Sequence, residues 1–284
     1  MITPEMKVPV FSDRIEKKYQ MEIDEANVAS LWRELVSFLA PYGLVPVQEI
    51  VSVGSVYFDN KDYDLLHYSL LGRLMLFRVR AYELFGRPFE PIKEYWVEVK
   101  TAQGERRRKR RFRLTKDALV DFLDGKEPQS SVFDCNKDDL SEDDLRKLYA
   151  ETQESIFTMG LEPFILVNYK RIAFQSEAER LSIDWDVEYF PVSTEVYDHC
   201  SWKDIPEQSV GKANKVILEL KYLHGSIPEW FADLRRKYPI REKEFLKTLE
   251  GMGFVFQGPL RDHRKANSFI PLIDAYMGGS QALR

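Results

Sequence analysis

Cysteine and histidine are scarce in this chain of 284 residues, which has two of the former and four of the latter. Cys135 and Cys200 sit in unrelated contexts without a partner at metal-ligand spacing, and two cysteines make no disulfide framework. His67, His199, His224 and His263 share no spacing that suggests a zinc site, so surface or loop positions are the simpler reading. No apolar run approaches the roughly 18 residues of a spanning helix, and the N-terminus lacks a basic stretch followed by an apolar one. A cytoplasmic protein without a transmembrane segment is expected. Positive charge is not in surplus either. Lys and Arg number 41 against 46 Asp and Glu, a formal charge of −5, whereas a dedicated nucleic-acid binder is usually basic overall. Repeats, low-complexity tracts and long linkers are missing too, so one domain over residues 1–284 is expected.

What the chain does have is charge and aromatic surface together. Charged residues make up 31% and hydrophobic ones 44%, with 18 Phe, 14 Tyr and 5 Trp, enough for a substantial core. Strand-like runs rich in β-branched and aromatic residues cover 14–21, 51–58, 74–82, 93–100, 106–114, 165–174, 181–189 and 215–221. Helical spacing predicts helices over 24–39, 61–70, 115–123, 141–159, 228–237 and 241–252. Residues 125–139, with Ser, Pro and Asp clustered, read as the most loop-like stretch. The class expected from this order is α+β.

Alternation inside the strands says more than their number, because successive side chains point to opposite faces. Arg14, Glu16 and Lys18 oppose Ile15, Tyr19 and Met21; Arg78 and Arg80 oppose Phe77, Val79 and Ala81. Glu98 and Lys100 oppose Tyr95, Val97 and Val99. Lys109, Arg111 and Arg113 share a face with Arg107, set by the phase of Phe112 and Leu114. Arg171 follows, then Asp184, Asp186 and Glu188 against Ile183, Trp185, Val187 and Tyr189, and Glu219 and Lys221 against Leu218 and Leu220. For any one strand, a solvated polar face is the simplest reading. Repetition of Glu-x-Lys and Arg-x-Arg across seven strands favours instead a barrel with charge inside and helices covering an apolar outside. Crowded cations repel one another, and a polyanion relieves them, since phosphate accepts paired guanidinium contacts well. The carboxylates are then suited to a hard cation bridging phosphate oxygens. The basic run 106–111 reads as split between the two faces, with solvated patch or nucleic-acid contact as the alternative. Trp185, Tyr189 and Phe112 read as core.

The segments Arg14-Ile-Glu-Lys-Lys-Tyr19, Ser55-Val-Tyr-Phe-Asp-Asn60, Phe77-Arg-Val-Arg-Ala-Tyr82, Trp96-Val-Glu-Val-Lys100, Lys109-Arg-Arg111, Asn168-Tyr-Lys-Arg171, Ser182-Ile-Asp184 and Ile217-Leu-Glu-Leu-Lys-Tyr222 resemble, in order, the triphosphate tunnel metalloenzyme superfamily. Within it the chain looks like the VTC (vacuolar transporter chaperone) catalytic-type domain, over a core of about residues 11–252 with a tail over 253–284. The resemblance implies a closed eight-stranded antiparallel β-barrel forming a tunnel. It implies phosphate contacts from Lys18, Arg78, Arg80, Lys100, Lys109, Arg111, Arg171 and Lys221. Glu219 corresponds to the principal ligand of Mn²⁺ or Mg²⁺, assisted by Glu16 or Glu98. Glu244-Phe-Leu-Lys-Thr-Leu249 is similar to the family's Phe-Ser-Lys-Tyr helix, but Leu246 and Thr248 replace Ser and Tyr. Lys247 therefore reads either as the functional lysine or as a solvated helix lysine.

The implied activity is polyphosphate polymerisation, moving the γ-phosphate of ATP onto a growing chain, with Arg78, Arg80, Lys100, Arg171 and Lys247 acting on the transferring group. Hydrolysis of tripolyphosphate or a nucleoside triphosphate is the alternative, and binding without turnover a further one. ATP, polyphosphate or triphosphate are the expected partners and nucleic acid is not; a membrane partner that exports product is conceivable by family analogy.

Overall fold

The computed structural model describes residues 15–24, 27–86, 91–103, 106–199, 201–223 and 225–278. Arg14, Cys200 and His224, and the side chains of Arg106 and Arg107, lie outside the described residues. The strands are β1 (Ile15–Met21), β2 (Val45–Pro46), β3 (Val51–Asp59), β4 (Met75–Leu84), β5 (Tyr95–Gln103), β6 (Arg106–Leu114), β7 (Glu162–Gln175), β8 (Glu179–Pro191), β9 (Gly211–Ala213), β10 (Val216–Tyr222) and β11 (Ile240–Glu242). The α-helices are α1 (Val28–Leu39), α2 (Asp64–Leu70), α3 (Lys116–Leu123), α4 (Ser130–Asn136), α5 (Glu142–Met159), α6 (Glu229–Lys237), α7 (Lys247–Gln257) and α8 (Ala266–Gly278).

The expected closed eight-stranded barrel does not form. Eleven strands make one sheet whose hydrogen-bonded order runs β11-β1-β10-β8-β7-β3-β4-β5-β6, with β2 on β7 and β9 on β8. The path is open: among the described residues its end strands β11 and β6 do not pair with each other. Closure requires the end strands to meet in register, which alternation within a strand does not encode. At the β6 edge a side chain takes the place of a further strand. Asn136 Oδ1 accepts from the backbone N–H of Arg113 at 2.8 Å, and its Nδ2 donates to the Arg113 carbonyl at 2.8 Å.

The chain divides into two compact units. The first comprises Met1–Ser52, Tyr169–Val187 and Lys212–Leu246. Its core is the apolar face of β1, β10, β8 and the end of β7, carrying Tyr19, Leu218, Leu220, Leu181, Ile183, Ile172 and Phe174. Helices α1 and α6 cover it; Leu31 and Leu35 of the former and Phe231 of the latter are buried in the same cluster.

The second unit comprises Val53–Asn168, Glu188–Gly211 and Lys247–Arg284. Phe77, Val79, Val97, Phe112 and Leu114 supply the apolar face of β4–β6. Phe112 packs against Phe122 of α3 and Tyr149 of α5 with ring centroids 5.5 and 5.7 Å apart. Burying each such ring stabilises by about 1.5–3 kcal/mol. Thr115 and Ser141 cap α3 and α5, their hydroxyls accepting from Ala118 and Asp144 N–H as N-cap residues do. Gly160, with φ 61°, ends α5 in the left-handed conformation that a Cβ disfavours.

Two local expectations fail. Residues 125–139 contain α4 rather than continuous loop. The helix expected over 241–252 starts only at Lys247, because Ile240–Glu242 pairs with β1, Met21 opposite Ile240. Trp185, Tyr189 and Phe112 are buried.

Candidate functional site

Within the second unit, cross-strand register gathers the expected cations. Arg78 of β4 stands opposite Glu98 of β5, and Glu98 opposite Arg111 of β6, so the three share one face. Lys100 stands opposite Lys109, and Trp96 lies between Arg80 and Arg113. The opposite face carries Phe77, Val79, Val97 and Phe112, so the strand phases of the sequence hold here. The run 106–111 splits as expected among its described side chains: Arg110 pairs with Glu151 of α5, while Lys109 and Arg111 approach Glu98.

Glu98 is the hub. It has no exposed surface, and Arg78 Nε donates to its Oε2 at 2.6 Å. Lys109 Nζ lies 2.5 Å and Arg111 Nη1 4.0 Å from Oε1. Burial alone pushes its carboxyl up, but the Arg78, Arg80, Lys109 and Lys100 charges hold it well below the usual carboxylate range. Burial pulls the Lys109 ammonium down to about 7, with Arg78 and Arg111 acting in the same direction against Glu98.

Strand β3, buried along its whole length, adds two partners that the sequence reading left without a role. Arg78 Nη1 donates to the Tyr57 hydroxyl at 3.2 Å, and Arg80 Nε to the Ser55 hydroxyl at 2.8 Å. Burial pushes the Tyr57 phenol up, yet Arg78, Arg80 and Lys247 bring it below its ordinary value. Lys247, the first residue of α7 and half-buried, therefore acts electrostatically on this cluster. Ser55 and Tyr57 do share one face at period two, but in a strand buried on both faces that spacing gives too little contrast to mark them.

In the first unit, Glu16 stands opposite Lys221 and Lys18 opposite Glu219 across β1 and β10. Lys221 Nζ lies 3.4 Å from Glu16 Oε2 and also pairs with Glu219. Lys18 Nζ donates to the Phe245 carbonyl at 3.0 Å. Arg171 grips Asp184 with two bonds, Nε to Oδ1 at 2.6 Å and Nη2 to Oδ2 at 2.7 Å. Burial lowers the Arg171 guanidinium, but the charges of Asp184, Tyr169 and Glu219 and the hydrogen bonds to Asp184 raise it well above its usual value. Arg180, unassigned from sequence, stands opposite Lys221.

Glu16 and Glu219 are hard oxygen donors, and their side chains are 26% and 20% exposed. Among the described residues no group of three or more His, Cys, Asp or Glu is arranged to hold a metal. That donor set suits Mg²⁺ or Mn²⁺ of the kind bound through one or two carboxylates plus substrate phosphates, and not an all-protein cage. Glu98, without exposed surface and held by several cations, fits a metal ion less well than Glu16 and Glu219, which share Lys221 but keep exposed surface. No helix among the described residues is long and apolar enough to cross a membrane.

A family model for the VTC domain matches residues 5–256. Subunit 4 of the vacuolar transporter chaperone complex of Schizosaccharomyces pombe is 24% identical over 242 residues, covering 74% of this chain and 32% of that protein. The chain thus spans about a third of the length of that relative. Two solved structures are similar at lower levels. A Bacillus halodurans protein provisionally assigned as an adenylate cyclase has 15% identity and a TM-score of 0.43, covering 82% of this chain and 95% of that one. A Hippeastrum protein described by a dominant triphosphatase activity has 12% identity and a TM-score of 0.44, covering 87% and 96%. Neither likeness is strong enough to carry an argument, whereas the family match extends over most of the sequence. The chain belongs to the VTC domain family.

Proposed function

We propose that this chain is a metal-dependent polyphosphate polymerase that moves the γ-phosphoryl group of ATP onto the end of a polyphosphate chain. The observation that carries the reading is the row Arg78–Glu98–Arg111, its first two members buried, flanked by Arg80, Lys100 and Lys109, in a VTC-domain chain. So many cations around one carboxylate leave an excess of positive charge that a linear polyanion relieves. Phosphoryl transfer needs chiefly positioning and charge stabilisation, so no nucleophilic side chain is required. A terminal oxygen of the chain attacks the γ-phosphorus, the bond to the β–γ bridging oxygen breaks, and ADP leaves. In the second unit Arg78, Arg80, Lys100 and Lys247 would neutralise the transferring group, and Lys109 and Arg111 would hold flanking phosphates; in the first, Arg171, Lys18 and Lys221 would contact phosphate. Glu219 with Glu16 would hold Mn²⁺ or Mg²⁺, which supplies charge neutralisation at phosphate oxygens when bound. The name of the S. pombe relative suggests, by likeness, that other subunits of a chaperone complex are partners.

Incubation of pure protein with ATP and Mn²⁺ tests the reading. Long phosphate polymer is expected, and Glu219→Gln is expected to reduce its formation at least a hundredfold, the scale on which loss of a transition-state charge contact acts. Release of free phosphate without polymer would identify a hydrolase, and neither product a binding module. Unaltered turnover in Glu219→Gln would remove the residue from its role.

A further inference from the structure

The cations of the second unit differ in how they are held. Arg78 is tied in its own plane, Nε to Glu98 and Nη1 to the Tyr57 hydroxyl. Arg113 is drawn to acid, with Nη2 2.9 Å from Asp139 Oδ2 and Nη1 3.9 Å from Glu94 Oε1. Arg111 is held differently. Its guanidinium carbon lies 4.0 Å from the centroid of the Trp96 ring, its nearest Glu98 contact is 4.0 Å, and its side chain is 41% exposed. Trp96 also has the acid-bound Arg113 at 5.2 Å from its centroid.

Stacking engages the face of a guanidinium and leaves its in-plane N–H fork to other acceptors. An ion pair to carboxylate uses that fork. A guanidinium held by an aromatic face therefore keeps more of its fork for a phosphate than one paired with an acid. We propose that Trp96 is a positioning residue, which presents the Arg111 fork to a phosphate of a linear polyphosphate and keeps it from collapsing onto Glu98. This rests on the reading of the cationic row as a phosphate site and adds a residue to it that acts only through another.

The test measures tripolyphosphate binding by calorimetry, which needs neither turnover nor nucleotide. Trp96→Ala is expected to weaken binding roughly two- to fivefold, the range of a cation–π contact at an exposed site. Trp96→Phe, which keeps an aromatic face, is expected to recover most of the loss. Arg111→Gln is expected to weaken binding further, and adding Trp96→Ala to it is expected to cause no additional loss, because the indole then has nothing to present. Wild-type affinity in Trp96→Ala, or a full additional loss in the double variant, overturns the inference while leaving the phosphate site standing. No binding by the unaltered protein overturns the phosphate reading and this inference together. Melting temperatures of the variants identify misfolding, and the Trp96→Phe comparison then decides.

Discussion

A carboxylate without solvent contact persists only where cations replace its lost hydration, and Glu98 meets that condition through Arg78 and Lys109. Removing one member of a buried pair leaves the other unpaired, at a cost of about 3–5 kcal/mol. Glu98→Ala is expected to lose stability on that scale, because Arg78 is only 7% exposed; a urea midpoint unchanged from wild type would refute it. Lys109 behaves in the opposite sense. Its folded-state value of about 7 lies below the ordinary 10.5, so the unfolded chain binds the proton more tightly. The charged form then costs stability fully below pH 7, less between 7 and 10.5, and not at all above. Loss of the Glu98 contact in Lys109→Met adds an offset, but the stability difference between variant and wild type is expected to shift in favour of wild type as pH rises from 6 to 9. Because the side chain is 36% exposed, solvent screens part of the effect, and the slope against pH is the quantity to measure. A shift in favour of the variant as pH rises would contradict the assignment.

Elements show where sequence was readable and where it was not. The phases of β4, β5 and β6 were legible because Phe77, Val79, Val97 and Phe112 each stand next to a charged neighbour of the opposite phase. Strand β3 has no such contrast, being buried on both faces, and so the roles of Ser55 and Tyr57 were hidden in it. Arg241 and Glu242 were read into the helix expected over 241–252, since a three-residue strand carries too little periodicity to separate it from a helical turn. Helix α4 was masked by its polar, Ser-rich start. Yet α4 carries Asn136, whose buried side chain satisfies both backbone groups of Arg113 and also donates to the Val132 carbonyl at 2.7 Å. Asn136→Ala is expected to cost about 1–3 kcal/mol for each backbone group left unpaired. It is also expected to expose an edge that invites association. Denaturant unfolding with sedimentation checks both, and a monomer of undiminished stability would refute them.

For the whole molecule, the net charge of −5 gives no hint of the cations concentrated on one face of β4–β6. Global composition averages over that segregation. Strand phase revealed the face, but nothing in a single chain's alternation reports whether the outermost strands meet, and the barrel expectation failed at that point. A concentrated cationic face predicts ligand-linked stability. Tripolyphosphate at a hundredfold over its dissociation constant is expected to stabilise by about 2.7 kcal/mol. Raising the salt concentration should shrink the melting shift as screening grows, and a shift absent at low salt would tell against an anion site. A Cβ placed at Gly54 would overlap the Trp202 indole, and that ring is buried, with Tyr95 edge-on at 6.1 Å. The two positions are thus mutually exclusive claimants to one volume. Drift at residue 54 stays closed for as long as a full indole remains at 202, and a smaller ring must come first.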